Sequence, residues 1–267
     1  MSVRSPSTVD PAELARFSAL AETWWDSNGP MRPLHRLNPT RLAWIKEQIA
    51  AHFSRDAADP RALGGLRILD VGCGAGILAE PLTRMGGDTV GIDPSAENIA
   101  AAKVHAETSG LAVDYRATTA EALAESRERF DVVTVLEVVE HVTDVKAFVA
   151  TCVSLIRPGG IVFFSTINRT IKAFLLAIVG AEYVLGWLPR GTHHYDKLVT
   201  PSELTDAVRA AGLEPAAETG VMYAPLGDVW RLTEDMDVNY MMAFAGRARN
   251  EGALRATIRV PAEGEDT

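Results

Sequence analysis

Three glycines stand at alternate positions in DVGCGAGILAE, Asp70 to Glu80, where an apolar strand gives way to a helical run. Glycine at such a turn permits positive φ and lets a ligand approach the backbone beside a helix N-terminus. A dinucleotide fingerprint asks for a further glycine at position 77, and Ile77 stands there instead. An acidic residue, Asp93 in VGIDPS, closes the next strand and is placed to accept hydrogen bonds from the two hydroxyls of a ribose. Glycine turn, acidic strand end and the polar end of a later strand follow one another in the order expected of a nucleoside site without a pyrophosphate. They fall where open α/β sheets bind ligands, and together they point to S-adenosylmethionine. The competing reading is a glycine-rich turn that merely packs tightly.

A second cluster lies in LEVVEHV, where Glu137, Glu140 and His141 are spaced i, i+3, i+4. A helical turn would bring the three to one face. Two carboxylates and an imidazole can hold a hard divalent ion such as magnesium, with water completing its shell. Such an ion would lower the pKa of a bound hydroxyl. The same residues read equally well as a pocket wall in which His141 acts as a general base without any metal. His193 and His194, in GTHHYD, are further candidates for that base.

Elements must carry these residues to one place. LRILDV, DTVGID, LAVDYRA, FDVVTVLE and GGIVFFSTI read as strands, and GILAEPLTRM, SAENIAAAKVHAETSG and TDVKAFVATCVSLI as the helices between them. Gly110 and Pro158-Gly159-Gly160 are stop signals for the last two helices. Strand–helix alternation of this kind predicts a parallel sheet covered on both faces. Ahead of it, Asn38-Pro39 reads as an N-cap and first helical residue opening TRLAWIKEQIAAHF. After it come a helix, PSELTDAVRAAG, and a closing pair of strands, LEPAAETGVMYAP and DVNYMMAFAG.

One stretch fits a water-soluble enzyme poorly. From Thr170 to His194, TIKAFLLAIVGAEYVLGWLPRGTHH gathers many large apolar side chains, interrupted by Gly180, Glu182, Gly186 and Pro189. About 20 consecutive apolar residues are needed to span a bilayer, so the stretch predicts a lid or an interfacial element rather than a transmembrane helix. The whole chain has 267 residues, 47% of them hydrophobic, and a net charge of -9, which argues against nucleic acid as a partner. Two cysteines and an N-terminus without a secretory apolar run lead us to expect a reducing, cytoplasmic setting. Residues 1–10 and 247–267 lack periodicity and are expected to be mobile ends of a single domain over 11–246.

Four stretches also carry a family resemblance: WWDSNGPMRPLHRLNPTRL, the run from LDVGCGAGILAE through LEVVEHV, FFSTINRTIKAFLLAIVGAEYVLGWLPRGTH, and the shorter DVNYM. Over Pro11 to Met242 the chain resembles class I methyltransferases, and more narrowly the ubiquinone-biosynthesis O-methyltransferases. The resemblance implies an α/β Rossmann-like fold: a mostly parallel seven-stranded sheet with helices on both faces, an N-terminal helical extension and a hydrophobic insertion over 168–197. It implies cofactor contacts at Arg41, Gly72, Asp93 and Leu136, where the family often has methionine at the last position. It supports the metal at Glu137, Glu140 and His141, and it matches His193 to the family's GTH. The implied substrates are a polyprenylated phenol and a demethylubiquinol, methylated at different stages of ubiquinone assembly. Implied partners are the surface of the cytoplasmic membrane and other ubiquinone-biosynthesis proteins. The rival readings are a methyltransferase for a water-soluble phenol, a binding module without turnover, and an NAD-dependent oxidoreductase.

Overall fold

The computed structural model describes residues 7–174 and 195–246. Five strands, β1 (Arg67–Val71), β2 (Asp88–Asp93), β3 (Asp114–Ala117), β4 (Phe130–Leu136) and β5 (Ile156–Ile167), pair in parallel. Their near-continuous apolar runs follow from burial on both faces, because successive side chains leave a strand on opposite sides. Leu69, Val133 and Phe164 pack on one side against α5 (Ala120–Glu125), α6 (Val145–Ser154) and α8 (Pro201–Ala210). Ile68, Val132 and Phe163 pack on the other side against α2 (Arg32–His52) and α3 (Ala79–Arg84). A further helix, α4 (Ala96–Thr108), packs on Tyr115 of β3 and begins at Ser95, whose side chain accepts from the Asn98 amide. Among the described residues there are also two short helices, α1 (Pro11–Ser18) near the start and α7 (Ile171–Ala173) after β5.

The sheet has eight strands rather than the expected seven, in the order β3-β2-β1-β4-β5-β8-β6-β7. Of the closing pair, β6 (Glu214–Ala224) and β8 (Asn239–Ala245) form as read, with β8 inserted antiparallel between β5 and β6. The additional strand is β7 (Val229–Thr233), which returns along β6 after a turn in which Asp228 takes φ +49°. It is a five-residue edge strand, largely open to water, so its sequence VWRLT lacks the buried run that marks a central strand.

Two other expectations are corrected. The helix expected to open at Asn38-Pro39 begins at Arg32, with Pro33 in its first turn and Pro39 inside it. Asn38 does not cap the helix; it is buried, and its Nδ2 donates to the Ile77 carbonyl at 2.8 Å. The expected mobile start does not include Thr8 to Asp10. Thr8 is buried, with its amide and hydroxyl both donating to Glu121, and Val9 bridges Val142. Asp10 caps α1 by accepting from the Ala12 amide at 2.9 Å.

Residues 1–6, most of the expected insertion (175–194) and the C-terminal tail over 247–267 lie outside the described residues. Among the described residues no helix is long and apolar enough to cross a membrane.

Candidate active site

The C-terminal ends of the parallel strands open into a cavity of about 840 Å³. That lies in the upper part of the range of about 300–1,000 Å³ usual for small-molecule sites. The glycine turn forms one wall. Gly72 has φ +70°, and a Cβ on it would lie 2.6 Å from a methyl of Val138. At Gly74, with φ +51°, a Cβ would fall 2.3 Å from the ring of Trp24. Both positions therefore exclude a side chain twice over, by backbone conformation and by space.

Asp93 stabilises this turn. Its Oδ2 accepts from the Gly74 amide at 3.0 Å, and its Oδ1 accepts from the Ser95 amide at 2.8 Å and from Asn98 Nδ2 at 3.3 Å. Burial pushes its pKa upward, opposed by these hydrogen bonds. A carboxylate has about four lone-pair sites, so one engaged oxygen still has capacity for a ligand hydroxyl.

Asp70 lies near the end of β1, where the sequence alone marks no role for it. It lines the same cavity and is buried. Thr134 Oγ1 donates to its Oδ1 at 2.8 Å, while its Oδ2 is shut off from water with no partner. Burial pushes its pKa up to about 7. An orphaned carboxyl oxygen beside a glycine cradle suits a ligand that carries an ammonium group, as the methionine part of S-adenosylmethionine does. The residues present therefore fit that group.

At the end of β4, Leu136 lines the cavity, and the chain then turns sharply, with Glu137 at φ +55°. Glu137 accepts from Arg41 of α2 and from Ser165 Oγ, the latter at 2.7 Å. Arg41 is buried and lines the cavity, with its guanidinium engaged by Glu137.

The expected metal cluster is not formed. Only Val139–His141 make a single 3-10 turn, so the three side chains do not share a helical face. Glu137 turns to Arg41, and His141 turns to Glu13, with Nδ1 3.2 Å from Oε2. Glu140 is buried beneath the turn and does not line the cavity. Burial pushes its pKa up to about 7, opposed by the nearby His141 and Thr166. Among the described residues no three His, Cys, Asp or Glu side chains are placed to hold a metal ion. The residues as arranged do not fit magnesium.

His141 is instead held from the N-terminal side. Glu13 of α1 approaches its Nδ1, and the Phe17 ring meets the imidazole edge-on at 5.1 Å. The hydrogen bond from His141 is the main cause that holds the Glu13 pKa down to about 2. Sequence reasoning gave α1 no part in the site, because the pairing joins residues 128 positions apart with no local pattern to mark it. His193 and His194 lie outside the described residues.

The far end of the cavity is apolar. Leu37, Ile167, Val221, Trp230 and Val238 line it, with the Tyr223 hydroxyl and the carboxamides of Asn38 and Asn239 among the polar groups of the same wall. One continuous space thus joins a polar, glycine-floored end to a greasy end, and Leu136, Glu137 and His141 stand along it.

Comparison with known proteins agrees with this geometry. A methyltransferase-domain family model matches residues 35–218. The chain is 56% identical over 236 residues to the ubiquinone biosynthesis O-methyltransferase of Chelativorans sp. (strain BNC1), covering 88% of this chain and 93% of that protein. It is 56% identical over 242 residues to the protein of the same name from Sinorhizobium medicae (strain WSM419), covering 91% and 98%. Among solved structures, the magnesium protoporphyrin IX methyltransferase of Synechocystis PCC 6803 with bound SAH aligns with a TM-score of 0.58 at 16% identity, over 88% of this chain and 99% of that one. The PH0226 protein of Pyrococcus horikoshii OT3 aligns with a TM-score of 0.59 at 13% identity, over 87% and 99%. The structural likenesses show that the sheet and its helices have the class I methyltransferase fold.

Proposed function

The chain belongs to the ubiquinone biosynthesis O-methyltransferase family, and from that premise we propose that it carries out both O-methylations of the pathway, on a polyprenylated phenol and on a demethylubiquinol. As a member of that family it is an S-adenosylmethionine-dependent O-methyltransferase. The observation that supports the reading best is the single cavity with unlike ends: a polar cradle suited to a nucleoside amino acid, continuous with an apolar end suited to a prenylated ring.

Gly72 and Asp93 would hold the nucleoside of the donor, Asp70 its ammonium and Arg41 its carboxylate, with Leu136 as an apolar wall beside the adenosine; all of them line the cavity. The bound donor supplies a methyl on a positively charged sulfur, already activated for displacement. The protein's own work is to align the acceptor oxygen with that methyl and to remove the acceptor's proton. His141, held by Glu13 through Nδ1, takes the proton as general base. With the donor bound, the phenolate oxygen would form the new C–O bond as the C–S bond breaks, the sulfur leaving as a neutral thioether. Glu137 acts through Arg41, fixing the guanidinium between itself and the donor site.

Radiolabelled methyl transfer tests both steps, using a prenylated dihydroxyphenol and a prenylated demethylubiquinol as separate acceptors. Label in both products is the expected result, and label in only one restricts the enzyme to a single step.

The apolar Thr170–His194 stretch supports a reversible contact with the membrane surface, where a prenylated substrate resides. At its described start, Ile171 is 76% exposed and Phe174 40% exposed. Flotation with anionic liposomes should carry the wild-type chain upward and leave an Ile171→Glu/Phe174→Glu variant in the dense fraction. Equal partitioning of the two would remove the membrane contact.

A further inference from the structure

The apolar end of the cavity contains one feature that folding does not explain. Asn239 opens β8, opposite Ile167 of β5 and Val221 of β6. Alternation along β8 gives its side chain the same face as Met241, which packs with α2 and Val221. Of its neighbours along the cavity wall, Leu37, Ile167, Val221 and Val238 have no side-chain hydrogen-bonding group, and the indole N–H of Trp230 makes no bond to the amide oxygen. The amide oxygen of Asn239 is shut off from water and has no donor from the protein.

A polar group left so is costly to the fold, and the large majority of buried side-chain polar atoms avoid it. A leucine at 239 would continue the apolar wall without that cost. Because no protein bond fixes the amide, a half-turn about its soft χ2 exchanges oxygen and nitrogen at almost unchanged shape. The carboxamide can therefore offer the cavity either an acceptor or a donor, as the ligand requires. Binding sites of this kind use a few placed polar groups in apolar walls to fix orientation.

We propose that Asn239 selects and orients the acceptor by accepting a hydrogen bond from a ring hydroxyl other than the one being methylated. The assignment rests on the reading of the acceptor as a phenol. It makes the enzyme selective for rings with two neighbouring oxygens, since a ring with a single hydroxyl leaves the amide without its partner. A site built around such a bond discriminates strongly against the analogue lacking it. The bond also limits rotation of the ring about its long axis, so that one hydroxyl, and not its neighbour, is presented to the methyl.

The test uses the full-length protein and two short-tailed prenylated acceptors, an ortho-dihydroxyphenol and the matching monohydroxyphenol. Wild-type, Asn239→Leu and Asn239→Asp proteins are compared by kcat/KM, with donor affinity measured by calorimetry and folding by thermal melting. The wild type should favour the dihydroxyphenol. Asn239→Leu should lose about 10–100-fold on that acceptor and little on the other, with donor affinity unchanged within about twofold. Asn239→Asp, which keeps an oxygen acceptor, should retain the preference. A leucine variant that keeps the wild-type preference, or that loses equally on both acceptors, overturns the assignment. A wild-type protein that binds the donor but methylates neither phenol overturns the phenol reading itself, which is a different result from either.

Discussion

Two carboxyl groups flank the glycine turn, and their partners give them different tasks. Asp93 has donors from two backbone amides and a side-chain amide, so it fixes the turn before any ligand arrives. Asp70 has one hydroxyl and an orphaned oxygen, and burial pushes its pKa up to about 7 from a usual value near 3.8. The folded protein therefore binds a proton at Asp70 that the unfolded chain has released above about pH 4. Stability from this group is full below the unfolded pKa and is lost as pH rises to about 7. Donor binding should run the other way, because an ammonium favours the ionised carboxylate: affinity should rise between pH 5.5 and 7.5. Calorimetric titrations across that range check it, and Asp70→Asn should flatten the rise while making the melting temperature less sensitive to pH. The motif spelled out Asp70, but its burial and missing partner come from β4 supplying only Thr134, which no spacing along the chain displays.

At the scale of elements, the most consequential one is the least packed. No residue of α1 is buried, yet the helix delivers Glu13 to His141 and Phe17 to the edge of its ring. Lys197, just beyond the apolar stretch, holds the same helix through Asp10 at 3.0 Å and lies 3.6 Å from Glu13. Glu13→Gln should therefore leave the fold and donor affinity intact while lowering kcat by about tenfold or more, since orientation of the base is what is lost. Stopped assays at saturating donor and acceptor measure this, and an unchanged kcat would show that α1 only covers the cavity. The parallel strands were legible because burial on both faces writes an apolar run into each of them. β7 was not, because an edge strand with Arg231 and an exposed Leu232 satisfies no such constraint. The start of α2 is hidden in the sequence for a related reason. Asn38-Pro39 has the residues of a helix start, but Pro33 lies in the first turn and a tertiary bond to Ile77 takes the Asn38 side chain.

For the molecule as a whole, the cavity couples chemistry to stability. Its floor is the ends of β1, β2 and β4, and its cover is the segment around Trp24, which packs on the glycine turn at Gly74. Trp25 adds a second tie, donating to the Ala75 carbonyl at 3.0 Å and stacking on His105 with ring centroids 3.3 Å apart. A ligand enclosed between floor and cover binds the folded state and not the unfolded one, so it must raise the melting temperature. At a hundred times its dissociation constant a donor adds about 2.7 kcal/mol. For a domain of this size that corresponds to a shift of roughly 5–11 °C. S-adenosylmethionine should produce this shift in the wild type, whereas NAD should produce none, because Ile77 stands where a pyrophosphate loop needs glycine. Asp93→Ala removes the acceptor of the Gly74 amide together with the ribose partner, so the shift should vanish at the same donor concentration. The variant's own melting point, read without ligand, separates a lost site from a lost fold. A full shift in Asp93→Ala would mean that the donor sits elsewhere in the cavity, away from the turn that the glycines keep clear.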